Sequence, residues 1–177
     1  MAQGASARRY AEAAFDLATR QNTLDRWQTD LQRAAAVVAT PDLMRLLDDP
    51  EVPRPRKHEL LDATIAASVD PMVRNLLYLL ADRNRLGLMP RIHDEFTAFY
   101  NRARGIVVAN VTTAVPLSTP LRAKVQDRLR DLTGARQIDL RLQTDPRLIG
   151  GMVARVGDTL YDGSVRTRLS ELQERIA

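Results

Sequence analysis

The chain has 177 residues, 45% hydrophobic and 27% charged, an ordinary globular composition long enough for one large domain or two small ones. Its 26 lysines and arginines are interspersed with 22 acids for a formal charge of +4, so no nucleic-acid-binding tail is expected. The absence of cysteine excludes disulfides, thiolate catalysis and thiolate metal sites. No apolar run reaches the ~18 residues of a membrane span and no secretory signal opens the chain, so no direct membrane insertion is expected.

Up to about residue 104, apolar positions recur at helical spacing and predict six helices. The first aligns Tyr10, Ala14, Leu17 and Ala18, with Ala11 and Phe15 beside them. The second aligns Leu24, Trp27, Leu31, Ala34, Ala35 and Val38 behind Thr23, a good N-cap residue. Thr40-Pro41 opens a short third helix carrying Leu43, Leu46 and Leu47, because proline fits the first helical position, where its missing N–H is not needed. The prolines between residues 49 and 55 make that stretch a loop, and a fourth helix follows with Leu60, Leu61 and Ile65. Asp70-Pro71 opens the most apolar helix, with Val73, Leu76, Leu77 and Leu80 on one side and Met72 and Leu79 nearby. Gly87 is expected to end it in a left-handed cap. The sixth runs from near Pro90 to Gly105 and aligns Ile92, Phe96, Phe99 and Ala103. Residues 1–104 are therefore expected to form an all-α six-helix bundle.

Residues 105–177 read as a smaller α+β domain. The β-branched, alternating run Ile106 to Val115 predicts a strand. Thr119-Pro120 caps a helix with Leu121, Val125, Leu129 and Leu132 on one face and Gly134 at its end. Ile138, Leu140 and Leu142 alternate with polar residues, as in a strand with one buried face. Four of the eight glycines fall between Asp145 and Leu172. Gly150-Gly151 inside an apolar strand predicts a bulge or a close backbone approach. Gly157-Asp158 fits a two-residue hairpin with glycine first, as in a type II′ turn. Asp162-Gly163 makes a second turn, and Ser164 caps a last helix that aligns Val165, Leu169, Leu172 and Ile176.

These glycines match no phosphate-binding template. No Gly-Lys-Ser/Thr follows Gly151 at the P-loop spacing, and a dinucleotide fingerprint would open a helix rather than a strand. His58 and His93 are the only histidines and stand far apart on charged helical stretches, a poor start for a metal site. Asp48, Asp49 and Glu51 lie beside prolines, as in a solvated turn, and no serine has a nucleophile-elbow context. No cofactor or catalytic residue is expected. Alanines 7, 11 and 14 on the first helix, beside a bulky fifth helix, can leave a groove for a partner helix or simply let the helices approach closely.

Several segments together resemble the delta subunit of F-type ATP synthase, the family whose mitochondrial member is called OSCP. RRYAEAAFDLA and LDRWQTDL are similar to its first two helices, and PMVRNLLYLLADRNRLGLMPRI to its fifth and sixth. ARGIVVANVTTAVPLS is similar to the passage into its second domain, and DPRLIGGMVARVGDTLYDGSVRTRLSEL to its C-terminal signature, with Thr167 where glycine is common. The signature positions are Gly150, Gly151, Gly157, Asp158, Asp162, Gly163, Ser164 and Arg166. The resemblance implies a non-catalytic stator subunit, present in one copy in a hetero-oligomeric complex and bacterial in type. It would sit at the cytoplasmic face of the plasma membrane. It implies that N-terminal segments of the alpha subunits dock between the first and fifth helices, with Tyr10, Ala11, Ala14, Phe15, Leu76, Leu79 and Arg83 as candidate lining residues. It also implies that the b subunits of the peripheral stalk engage residues 105–177. The alternative, a basic RNA-binding or ribosome-associated adaptor, would need a clustered cationic face, whereas the cations here alternate with acids.

Overall fold

The computed structural model describes residues 2–65, 68–167, 169 and 173. The chain divides into two compact units, residues 1–100 and 101–177. The first is all-helical: α1 (Ala2–Arg20), α2 (Leu24–Val38), α3 (Pro41–Asp48), α4 (Arg54–Thr64), α5 (Pro71–Asp82) and α6 (Met89–Arg104), the last turn of which passes into the second unit. Their apolar stripes meet in one core built around Trp27, Leu31, Leu47, Leu61, Leu77, Leu80, Ile92 and Phe96. Trp27 and Phe96 stack at 6.3 Å between centroids, and Phe15 meets Phe96 edge-on at 5.9 Å.

Helix ends depart from the sequence expectation in an instructive way. Gly87 does not cap α5 in the left-handed region; it lies in a short 3-10 turn, Leu86–Leu88. Asn84 takes that conformation instead, at φ +50°, and the N–H groups of Asn84 and Arg85 return to the carbonyls of Ala81 and Leu80. Asn22 ends α1 in the same way, at φ +56°, with Asn22 and Thr23 bonding back to Thr19 and Ala18. Both are Schellman closures in which asparagine occupies the position usual for glycine. Thr23 therefore serves as the end of one helix and the start of the next. It makes no side-chain cap bond, and its buried Oγ1 has no hydrogen-bond partner among the described residues. Thr40 also makes no cap bond, whereas the Asp70 carboxylate accepts the Met72 N–H at 3.0 Å. Pro53 is the N-cap of α4 and Pro55 falls in its first turn, so the loop ends earlier than the prolines suggest.

One buried carboxylate holds two of these helices together. Asp30, 3% exposed on α2, accepts the backbone N–H of Asp70 at 2.8 Å where α5 begins, with Arg26 and Arg33 3.8 and 4.0 Å away. Asp30→Ala would leave that part-buried N–H without its partner and is expected to cost about 1–3 kcal/mol in a denaturant titration followed by helical circular dichroism.

The second unit is α+β. It contains β1 (Ile106–Thr113), α7 (Thr119–Thr133), β2 (Gln137–Thr144), β3 (Met152–Val156) and β4 (Thr159–Asp162). The sheet order is β2-β1-β3-β4, with β1 parallel to β2 through α7 and antiparallel to β3, and β3–β4 a hairpin. Alternation along β1 turns Ala109 and Val111 toward Val125 and Leu129 of α7, closing a second core with Ile138, Ala154 and Val156. Several expectations are corrected here. β1 stops at Thr113, leaving Val115 exposed, and the N-cap of α7 is Ser118 rather than Thr119. Only Val125 and Leu129, in the middle of the α7 stripe, are buried, while Leu121 and Leu132, on the same face but nearer the two helix ends, are exposed. Gly134 does close α7 at φ +67°. Residues 165–167 after Ser164 are helical; Leu172 and Ile176 of the expected last stripe lie outside the described residues.

Candidate functional site

An apolar cleft of about 250 Å³ opens between α1 and α5. Tyr10, Ala13, Ala14 and Leu17 line it from α1, Met72, Asn75, Leu76 and Leu79 from α5, and Trp27 of α2 forms part of its wall. The cleft follows from residue size. Alanines at positions 13 and 14 hold α1 low, while leucines and methionine at helical spacing on α5 stand opposite and leave a trough between them. Leu17 is 38% exposed and Leu79 40% exposed. Isolated exposed leucines carry no message, but two on the rim of one apolar concavity make the cleft a candidate interaction site.

Of the seven expected lining residues, Tyr10, Ala14, Leu76 and Leu79 come together here. Three do not. Ala11 is fully buried in the core, on the side of α1 away from solvent. Phe15 packs into the core against Phe96 and Phe99, the second ring 5.7 Å away. Arg83 lies past the end of α5, where the Asn84 turn carries it to a different cavity. Ala13, Leu17, Trp27, Met72 and Asn75 are the lining residues that the sequence reading did not assign to this role. Leu17 and Met72 were signalled by their place on the same stripes. Trp27 is a core residue that also lines the cleft, with an indole N–H that has no hydrogen-bond partner among the described residues.

The cavity holding Arg83 is larger and polar, about 540 Å³, and is lined by Ser6, Asp48, Arg83, Asn84, Arg85, Gly87 and Leu88. Arg85 Nη1 donates to Ser6 Oγ at 3.3 Å. Buried Lys57 donates to Asn84 Oδ1 at 2.8 Å, which fixes the turn between the two arginines.

The glycine-rich signature of the second unit is a knot of backbone contacts. Gly150 and Gly151 precede β3 rather than lying inside it. Gly151 has φ +82°, and a Cβ there would overlap the Gly163 carbonyl oxygen and come within 2.9 Å of Ser164 Cα. The Gly163 N–H donates to the Met152 carbonyl at 2.9 Å and the Val165 N–H to Gly150 at 3.1 Å, so the strand entry and the turn after β4 are stitched together. Gly157 has φ +58° and Asp158 does not share the positive φ, as in a type II′ hairpin. Ser164 Oγ accepts the Thr167 N–H at 3.2 Å, and Arg166 stands exposed on that first helical turn.

Asp162 organises the turn. Its carboxylate accepts the Ser164 N–H and the Thr167 hydroxyl, each at 2.8 Å, and these bonds, the Ser164 N–H first, hold its carboxyl below the usual carboxylate range. A depressed folded-state pKa contributes stability that is present above the unfolded value, near 3.9, and is lost as pH falls below it. Asp145, held low by the Arg147 side chain, acts in the same window. Asp162→Asn is expected to flatten the acid-side loss of stability of residues 101–177 below about pH 4, measured by urea titration at several pH values.

The described residues contain no group of three or more His, Cys, Asp or Glu arranged to hold a metal. His58 is engaged with Asp82 at 3.0 Å and stacks on Tyr78 at 4.3 Å. No described helix is long and apolar enough to cross a membrane.

Comparison with known proteins gives one answer. Residues 7–176 match the model of the family described as ATP synthase delta (OSCP) subunit. The chain is 39% identical over 173 residues to an ATP synthase subunit delta of Dehalococcoides mccartyi (strain ATCC BAA-2266 / KCTC 15142 / 195), covering 98% of this chain and 94% of that one. It is 39% identical over 178 residues to ATP synthase subunit delta of Anaeromyxobacter sp. (strain Fw109-5), covering 99% of each. A chain of the Toxoplasma gondii mitochondrial ATP synthase hexamer superposes with a TM-score of 0.71 at 25% identity, covering 96% of both. The match extends through the helices of the cleft, the sheet and the glycine knot, and the chain therefore belongs to the ATP synthase delta (OSCP) subunit family.

Proposed function

We propose that the cleft between α1 and α5 receives an amphipathic N-terminal helix of an alpha subunit, and that residues 105–177 engage the b subunits of the peripheral stalk. Family membership makes the chain a non-catalytic stator subunit of F-type ATP synthase, which holds the catalytic head against rotary torque so that proton flow stays coupled to ATP synthesis. In this reading residues 1–104 act as a six-helix docking domain on the head, and the complex carries one copy at the cytoplasmic face of the plasma membrane.

The observation that carries the proposal is the apolar cleft with Leu17 and Leu79 left exposed on its rim. A connector under load needs slow dissociation, and apolar burial gives this more readily than exposed charge pairs, which contribute only about 0–1 kcal/mol each. Burying roughly 600–800 Å² of apolar surface is worth on the order of 15–20 kcal/mol before ordering costs, which remove much of it. What remains is compatible with sub-micromolar to nanomolar binding.

A peptide of the alpha-subunit N-terminus, titrated calorimetrically into the full-length chain, tests this. Binding that keeps most of its strength at high salt and has a negative heat-capacity change is expected. Absence of binding, or binding confined to residues 105–177, would reject the cleft as its site.

A further inference from the structure

We infer that the glycine knot is a strained latch: it holds Ile149 in a backbone conformation that relaxes when the knot opens, so the turn after β4 parts from the entry of β3 more readily than the sheet unpairs. Ile149 lies at φ +56° and ψ −45°. Among the described residues, the other two non-glycines with positive φ are Asn22 and Asn84, of the type that tolerates such angles. Isoleucine does not, because its branched Cβ crowds the neighbouring peptide groups. The Gly150 N–H donates to the Leu148 carbonyl across Ile149, which makes a γ-turn of the rare, strained hand.

Burial of the side chain does little to offset this strain, since Ile149 is 67% exposed. The conformation is imposed from both sides instead. Upstream, the Leu148 N–H donates to the Asp145 carbonyl at 3.1 Å, and the Asp145 N–H donates to the Thr113 carbonyl of β1 at 2.9 Å. Downstream, the Gly150 carbonyl accepts the Val165 N–H at 3.1 Å, and Gly151 lies against the backbone of Gly163 and Ser164. Strain of this kind persists only where the surroundings over-determine it. The upstream restraint is anchored in the sheet, whereas the downstream one depends on the turn after β4. Once the bond between Val165 and Gly150 breaks, residues 149–151 are free to relax. The pairing of β1 with β3 runs from Thr113 opposite Met152 to Ala109 opposite Val156, so that relaxation leaves it in place. Openings of this local kind draw on the least stable part of a domain.

Amide hydrogen exchange, followed by nuclear magnetic resonance in the isotope-labelled full-length chain, tests this. In the wild type the Gly163 and Val165 amides of the knot are expected to exchange faster than those of Ala109 and Val111 at the centre of the sheet. Glycine takes positive φ freely, so Ile149→Gly relieves the strain while removing a side chain that is mostly in solvent. It is expected to slow exchange at Gly163 and Val165 roughly ten-fold, although a glycine outside a strained turn ordinarily loosens the backbone. Ile149→Ala keeps the Cβ and is expected to stay within about three-fold of wild type. Knot amides as protected as the sheet centre would overturn the inference. So would exchange in Ile149→Gly that is unchanged or faster, or equal slowing in Ile149→Ala, which would assign the effect to the side chain rather than to the backbone.

Discussion

An Ala14→Asp protein is expected to leave ATP hydrolysis by the isolated catalytic head unchanged while abolishing its coupling to proton pumping. Ala14 is 3% exposed and lies in the cleft with Trp27 and Leu76. Because Ala14 also belongs to the core, folding of the free variant is checked by circular dichroism before coupling is read. A docked apolar helix would cover the new carboxylate without offering a partner, and stranding a charge in this way costs at least several kcal/mol. That is enough to lower affinity by about three orders of magnitude or more. Leu79→Asp provides the control for folding, because Leu79 is already 40% exposed and its replacement removes little core. Reconstituted complexes carrying either variant, assayed for hydrolysis and for ATP-driven proton uptake, should show the first without the second. Full coupling in both variants would mean that the cleft does not carry the load.

The largest structural effect is expected from Gly151→Ala. At φ +82° an alanine is already strained, and here its Cβ would meet backbone on two sides, at the Gly163 carbonyl and the Ser164 Cα. Neither neighbour can swing aside as a side chain would. Gly157→Ala makes the comparison, since φ is +58° but nothing lies within 4 Å of the added carbon. Strain alone should cost Gly157→Ala about 1–2 kcal/mol. Strain plus backbone overlap should cost Gly151→Ala more than about 3 kcal/mol, enough to open the knot that ties β3 to the turn after β4. Hydrogen exchange read over residues 101–177 separates the two, and equal protection in both variants would contradict the close-approach account.

Much of this was legible in the sequence because it depends on local chemistry. Apolar spacing gave the helices of the first unit, the Asp70 carboxylate caps α5 as its position before proline requires, and Gly151 marks a close backbone approach. The rest depends on neighbours. Asparagine enters the left-handed region less readily than glycine, so Asn22 and Asn84 gave a weaker sign than Gly87, the more obvious candidate. Ala11 and Ala14 are alike in size and one turn apart. Which of them faces the core and which the cleft depends on where α5 lies, and no periodicity in α1 contains that information. Arg83 is four residues past Leu79 and would share its face on a longer helix, but α5 ends at Asp82. The order of the sheet, with β1 at its centre, likewise follows from pairing rather than from any single strand.

Trp27 offers the most direct measurement. It is the only tryptophan in the chain, it lines the cleft, and its indole N–H gives one resonance in an isotope-labelled full-length protein. Titration with the alpha-subunit N-terminal peptide is expected to shift that resonance saturably, with the same dissociation constant that calorimetry gives, and to leave it unmoved in Ala14→Asp. Calorimetric binding of the peptide with no change at Trp27 would place the partner elsewhere and contradict the assignment of the cleft.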